Sequence, residues 1–227
     1  NILNFDDKKK LNKLYFNFLF FILKIGTKFT KKIIVQSNYT RNELIKKIPK
    51  CRNKVTVIPP IINYQSFKKN NNIVNDNLRN ITLFYPASDY SHKNHIILFQ
   101  LFKDYLKKIE NNKFRILCTI RNEESINTNS FIFMDEISYN DIWKTYYSVD
   151  ALIFPSKLES FGLPILEAMY AGLFIVCSDK EFTREICGEK AIYFNENSTK
   201  SLMDALMILK NNINKKNFPD WKNEIDK

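Results

Sequence analysis

The sequence predicts an α/β fold built on a doubly wound parallel sheet, and three observations carry that expectation. From about residue 80 onward, short and continuously apolar runs alternate with segments of helical apolar spacing. Strands buried on both faces read as unbroken apolar runs, and helices between them supply the crossovers of a parallel sheet. Two of the runs stop at a proline, Pro86 and Pro155, as a strand does where it reaches a loop. The chain of 227 residues is 44% hydrophobic and 26% charged, which excludes a disordered or collagen-like chain and supplies a core for one or two domains. Its four cysteines (Cys51, Cys118, Cys177 and Cys187) form no C-x-x-C pair, so neither a structural zinc nor a disulfide framework is expected, and the pattern fits a reducing compartment.

Taken in order, the first element is the apolar stretch Leu14–Ile25, which follows Lys8-Lys9-Lys10. Three readings stay open for it. It is a helix facing a protein core or interface, a membrane-surface helix with a basic rim, or a signal or membrane span. It is shorter than the roughly 20 residues that a span needs, and Asn17 and Lys24 interrupt it. The β-branched run in Lys31–Ser37 predicts a short strand. A helix opens at Asn38, where Thr40 and Glu43 have capping-box spacing. A second strand over Lys54–Ile58 is stopped by Pro59-Pro60. The polar, Asn-rich stretch that follows is expected to be a linker over 61–79.

The second part begins with a strand over Ile81–Tyr85 and a helix over His95–Ile109. Further strands are expected at Phe114–Thr119, Phe131–Met134, Ala151–Phe154, Leu173–Cys177 and Ala191–Phe194, with helices at Tyr139–Tyr147, Pro164–Ala171, Thr183–Ile186 and Ser198–Leu209. Open α/β sheets bind ligands outside the carboxyl ends of their strands. The loops after Tyr85, Thr119, Met134, Phe154 and Cys177 are therefore where chemistry is sought.

One of these loops stands apart. In Phe154–Met169, Pro164 suits the first turn of a helix and Gly172 its C-terminal cap. The amides of Phe161, Gly162 and Leu163 would then be unpaired donors at a helix N-terminus, an arrangement that favours anions. Gly162 lets a ligand approach the backbone closely. Glu159 precedes this site, and Glu167 lies one turn into an otherwise apolar helix. A bare carboxylate there is costly unless something donates to it, and a ribose diol would be such a donor. The plainer alternative is a helix-dipole partner at Glu167 and a solvated Glu159.

Glu159 and Glu167, with Phe-Gly-Leu-Pro between them, resemble the E-x7-E signature of retaining, GT-B-fold glycosyltransferases of the glycosyltransferase family 4 type. The phrase IFPSKLESFGLPILEAMYAGLFIVCSD is similar to that family's donor-site segment nearly throughout. Tyr85-Pro86-Ala87 with His92-Lys93-Asn94-His95 resembles its first donor-domain loop. Ile34–Ile48 with Val55–Pro60 resembles the end of its acceptor domain, and Ser138–Asp150, Phe182–Phe194 and Asn217–Trp221 agree as well. The resemblance covers about residues 30–225. It implies a GT-B fold: a Rossmann-like donor domain over 80–213, preceded by the last part of an N-terminal Rossmann-like, acceptor-side domain over 1–60. A final helix over 214–227 would cross back to the first domain.

The resemblance also implies roles. Glu167 would hold the ribose hydroxyls of a nucleotide-sugar, and Glu159 would contact the transferred sugar. The segment Ser160, Phe161, Gly162 and Leu163 would meet the sugar and diphosphate. Lys93 would stabilise charge on the leaving group, with Ala87 and Ser88 lining the donor loop. Preorganised cations and amides stabilise such developing charge, so neither a metal nor a cofactor is implied beyond the GDP- or UDP-linked sugar substrate. Thr119, Met134 and Ile137 are assigned near the base. Two places depart from the family pattern. Its usual loop arginine is missing at Pro86-Ala87-Ser88, which leaves Lys93 alone or with Lys157. Its usual glycine near the base is replaced in Asp135-Glu136-Ile137.

The expected activity is transfer of a hexose, mannose or glucose in type, to a glycan or glycolipid acceptor with retention. The alternative is a truncated, non-catalytic piece that only binds nucleotide-sugar. The chain begins at Asn1 without an initiator Met and lacks most of an acceptor domain, so a piece of a longer protein that transfers poorly alone is expected. The whole excess charge of +11 lies in residues 1–60, which hold 14 Lys and Arg against 3 Asp and Glu, while residues 61–227 hold 21 of each. This fits either peripheral contact with an anionic membrane from the cytoplasmic side or a solvated basic face. A nucleic-acid partner is not expected, since charge alone suggests it. His92 and His95 are read as scaffolding beside Lys93 rather than a metal pair. Trp143, Tyr146 and Tyr147 are read as core and surface rather than a sugar platform.

Overall fold

The computed structural model describes residues 10–62, 80–120, 129–134 and 137–225. The linker expected over 61–79 falls almost wholly outside these residues, as do Asp135 and Glu136. The chain forms two compact units. One comprises Asn1–Ile61 with Leu158–Gly162, the other Ile62–Lys157 with Leu163–Lys227.

In the smaller unit, helix α1 (Lys10–Phe29) precedes strand β1 (Ile33–Val35), helix α2 (Asn38–Lys47), a 3-10 turn (Pro49–Lys54) and strand β2 (Val55–Val57). The two strands pair in parallel. Phe20 and Leu23 of α1 pack on a small core of Val35, Leu44, Ile48 and Cys51. Lys54 donates from Nζ to the carbonyls of Thr27 (2.8 Å) and Lys28 (3.2 Å), satisfying acceptors in the last turn of α1. The opposite face of α1 is open: Phe18 is 60% and Phe21 58% exposed. Among the described residues no helix is long and apolar enough to cross a membrane. Helix α2 is capped one turn earlier than the capping-box spacing suggests. Ser37, not Thr40, is the N-cap, and its hydroxyl oxygen accepts from the Thr40 amide at 3.1 Å.

The larger unit contains strands β3 (Ile81–Tyr85), β4 (Phe114–Cys118), β5 (Phe131–Phe133), β6 (Ala151–Phe154), β7 (Phe174–Ser178) and β8 (Ile192–Phe194). Helices α3 (His95–Asn111), α4 (Tyr139–Ser148), α5 (Leu163–Tyr170), α6 (Glu181–Cys187) and α7 (Thr199–Asn214) connect or follow them, and α8 (Lys222–Ile225) is a single turn. All six strands are parallel, in the order β5-β4-β3-β6-β7-β8. This is the doubly wound Rossmann order, whose direction reverses between β3 and β6. Every residue of β6 and β7 is buried, which explains their unbroken apolar sequences. The core on one face gathers α3 and α7 residues such as Leu98, Leu101, Leu202 and Leu206 against Leu83, Ile153 and Val176.

Helix α5 stops at Gly172, which has φ of +67°. The Gly172 amide donates to the Met169 carbonyl and the Leu173 amide to the Ala168 carbonyl, the paired bonds of a Schellman cap. Trp221, buried just before α8, donates from its indole nitrogen to the Leu173 carbonyl at 2.8 Å.

Candidate functional site

A cavity of about 1100 Å³ opens at the carboxyl end of the sheet in the larger unit, at the β3/β6 reversal. The loop after β3 forms one wall through Pro86, Ala87 and Ser88, followed by Lys93. Thr119 closes the β4 side, Met134 and Ile137 the β5 side, and Pro164 and Glu167 of α5 stand on the β6 side. Seven residues assigned from sequence thus meet in one cavity: Ala87, Ser88, Lys93, Thr119, Met134, Ile137 and Glu167.

Each wall has a local cause. The Thr119 hydroxyl donates to the Ala87 carbonyl at 2.8 Å and accepts from the Ala87 amide at 2.9 Å. It therefore acts like a further rung between the ends of β3 and β4. Thr119 lines the cavity with its hydroxyl engaged by the backbone.

Lys93 ends a 3-10 turn, Ser91–Lys93, and Asn94 beside it adopts a left-handed conformation with φ of +59°. Asparagine is among the few residues that tolerate this backbone. The Asn94 side chain is buried, and its Nδ2 donates to the carbonyls of Pro155 (3.2 Å) and Glu196 (2.9 Å). The Lys157 amide donates to the His92 carbonyl at 2.8 Å. The Tyr85 hydroxyl donates to the carbonyl of Lys93 itself at 2.9 Å. Bonds from β3 and from the loops after β6 and β8 therefore fix the backbone that presents Lys93. Its Nζ lies 5.9 Å from the centroid of the Phe154 ring, within the range of a cation–π contact. His92 stacks on Tyr90 at 5.6 Å, and His95 meets the Phe99 ring edge-on at 5.6 Å.

Glu167 projects from the second turn of α5. The Tyr146 hydroxyl donates to its Oε2 at 2.7 Å. Burial pushes the Glu167 carboxyl above its ordinary range, and the Tyr146 hydrogen bond works in the opposite direction. Burial and the neighbouring carboxylate together push the Tyr146 phenol well up, so the shared proton stays on the tyrosine. A ribose diol is the donor expected for Glu167; within the protein Tyr146 already donates to it. Tyr146 lies in the core, as its helical spacing suggests, while its bond to Glu167 and the two carbonyl bonds of Asn94 have no mark in the local sequence.

The remaining assigned residues are not walls of this cavity. Glu159, Ser160, Phe161 and Gly162 belong to the Leu158–Gly162 segment that groups with the smaller unit. There the Ser160 carbonyl accepts from the hydroxyls of Ser37 (2.9 Å) and Thr40 (2.7 Å). Gly162 has φ of +96°, a conformation that disfavours a side chain. Leu163 begins α5 with its side chain exposed. The amides of Phe161, Gly162 and Leu163 bond to no other described residue, as expected for donors at the start of a helix.

Comparison with known proteins agrees with this architecture. The chain resembles the O-antigen chain mannosyltransferase RfbU of Salmonella typhimurium, with 26% identity over 207 residues, covering 86% of this chain and 55% of that protein. It resembles the O-antigen chain mannosyltransferase B of Escherichia coli with 30% identity over 70 residues, 31% of this chain and 18% of that one. The chain thus spans about half the length, or less, of these curated relatives. Among solved structures, TarM is similar with a TM-score of 0.66 at 13% identity, covering 92% of this chain and 42% of that chain. A glycosyltransferase from Rickettsia africae ESF-5 also reaches 0.66, at 18% identity, covering 81% of this chain and 54% of its own. The catalytic domain of starch synthase IV from Arabidopsis thaliana, bound to ADP and acarbose, reaches 0.64 at 11% identity, covering 83% of this chain and 50% of its own. At these identities the likeness is one of fold, and the fold is GT-B in type. Residues 66–219, more than half of the chain, match the family model described as glycosyl transferases group 1, and the chain belongs to that family.

Proposed function

We propose that the larger unit is the donor-binding domain of a retaining glycosyltransferase of the family 4 type. It takes a nucleoside-diphosphate hexose and serves transfer to a glycan or lipid-linked acceptor without a metal. The observation that carries this reading is one cavity at the sheet's reversal point, with Lys93 on one wall and Glu167 on another. A cation suits a diphosphate, and a carboxylate accepting hydrogen bonds suits a ribose diol. Departure of the nucleoside diphosphate builds negative charge, which Lys93 is proposed to stabilise; the Phe161–Leu163 amides keep the diphosphate role that the family resemblance implies. Glu159 is assigned to the transferred sugar. The relatives' names make mannose the first sugar to try and an O-antigen-like glycan the first acceptor. In the same reading, residues 1–60 are the end of the acceptor-side domain, 80–213 the donor domain and 214–227 the return toward the first.

Calorimetric titration with GDP, UDP, GDP-mannose and UDP-glucose tests the donor site. Binding of one base series is the expected result. A folded chain that binds none of the four would overturn the reading for this chain.

Residues 1–60 are further proposed to touch an anionic membrane surface. Their net charge of +11 and the open Phe18 and Phe21 on α1 support this. Sedimentation with phosphatidylglycerol liposomes should carry the protein down at low salt and release it at high salt. Binding that ignores both salt and anionic lipid would sink the idea.

A further inference from the structure

We infer that Tyr146 is the positioning residue for ribose recognition: held between two aromatic rings, it takes one oxygen of Glu167 and leaves the other facing the cavity for a sugar hydroxyl. The inference rests on the reading of Glu167 as the ribose contact and adds to it the residue that makes the contact selective.

The geometry supports each part. The Tyr146 ring is wholly buried. It meets Phe84 of β3 edge to face, with centroids 5.2 Å apart and planes at 82°, and Trp143 of its own helix at 5.8 Å and 52°. A ring confined in this way has little rotamer freedom, so its hydroxyl holds one direction. That direction ends at Glu167 Oε2, 2.7 Å away. No other described side chain bonds to Glu167, and the residue forms part of the cavity wall. An ionised carboxylate has about four lone-pair directions, of which the tyrosine takes one. The remaining oxygen is fixed by a bond the ligand does not make, so it accepts from a vicinal diol at a set distance without first being ordered. Glu167 alone, at the end of three rotatable bonds, would lose that preorganisation. The consequence is discrimination: the site distinguishes a ribonucleotide from its 2′-deoxy analogue through a residue that never touches the ligand.

The test compares GDP and UDP with their 2′-deoxy analogues by calorimetric titration, on the unmodified chain and on Tyr146→Phe, which keeps the ring and removes only the hydroxyl. The unmodified chain should prefer the ribonucleotide of its base by at least tenfold. In Tyr146→Phe that ratio should fall to threefold or less, with affinity for the 2′-deoxy analogue within twofold of the original. A Phe84→Leu variant, which keeps Glu167 and the tyrosine hydroxyl but loosens one of the two rings that hold it, should lower the same ratio by a second route. It carries the test should Tyr146→Phe fail to fold. Retention of the full ratio in either variant would overturn the role given to Tyr146. Equal weakening toward both analogues would make the tyrosine a structural support only and would also overturn it. An unmodified chain that binds nucleotide without any ribose preference would instead overturn the underlying assignment of Glu167, a result distinguishable from the other two.

Discussion

Replacing Glu167 with alanine is expected to weaken nucleotide binding at least tenfold, which corresponds to about 1.4 kcal/mol. Two losses are combined in that substitution, and two measurements separate them. The ligand loses its acceptor on the cavity wall, which calorimetric titration reads. Tyr146 loses the acceptor for a hydroxyl buried with its whole ring, which costs the folded state about 1–3 kcal/mol and appears in urea unfolding. Glu167→Gln separates the two effects. Its amide oxygen still accepts from Tyr146, so stability should return toward the original while the charge-assisted part of ligand binding stays lost. The pH dependence runs in opposite directions for the two properties. Burial raises the Glu167 carboxyl above its ordinary 4.5, so the folded protein holds that proton more tightly than the unfolded chain does. Its contribution to stability is therefore greatest at low pH and declines as pH rises through the raised value. Under the proposed role of Glu167, nucleotide binding would need the ionised acceptor and should weaken as pH falls through that same value.

Phe84→Ala should be the most destabilising single substitution considered, at about 3–5 kcal/mol. Phe84 sits fully buried in β3, at the point where the sheet reverses, opposite Leu117 of β4 and Leu152 of β6. Strands on both sides prevent the backbone from collapsing into the space left behind. The expected result is a lower urea midpoint with an unchanged slope. The same ring is one of the two that confine Tyr146, so the surviving folded protein should also bind ribonucleotide more weakly. A midpoint shift corresponding to less than about 1 kcal/mol would mean that the central strand repacks far more freely than its burial implies.

Much of the sheet was legible because its strands are buried on both faces. Ala151–Phe154 is apolar at every position, and Pro86 and Pro155 mark where β3 and β6 give way to loops. Glu167 was legible for the complementary reason, as a carboxylate in a helix that is otherwise apolar. Residues whose roles depend on partners far along the chain were not. Ser37 and Thr40 are both good N-caps by type. The structure caps with Ser37, and Thr40 turns its hydroxyl to the Ser160 carbonyl, 120 residues away. Asn94 and Tyr146 carry no local mark of what they hold, since their partners come from β6, β8 and α5 loops or helices that only the folded sheet brings near. Thr119, read from the sequence as near the base, lines the cavity, and nothing beside it in the chain marks the backbone of Ala87 as the partner of its hydroxyl.

That pairing of Thr119 with Ala87 has a thermodynamic consequence. Loops that greet a ligand commonly become ordered only when it arrives, and the lost chain entropy is subtracted from affinity. Here the turn at Pro86–Ser88 is held by the protein's own groups, a proline ring on one side and two hydrogen bonds to a single hydroxyl on the other. Its freedom is surrendered during folding, when the β3–β4 ladder forms, and little remains to be lost on association. A cavity walled this way can release a ligand without the loop having to melt. Under the proposed function, exchange of one nucleotide for the next would then be set by the contacts to the ligand and not by the refolding of its wall.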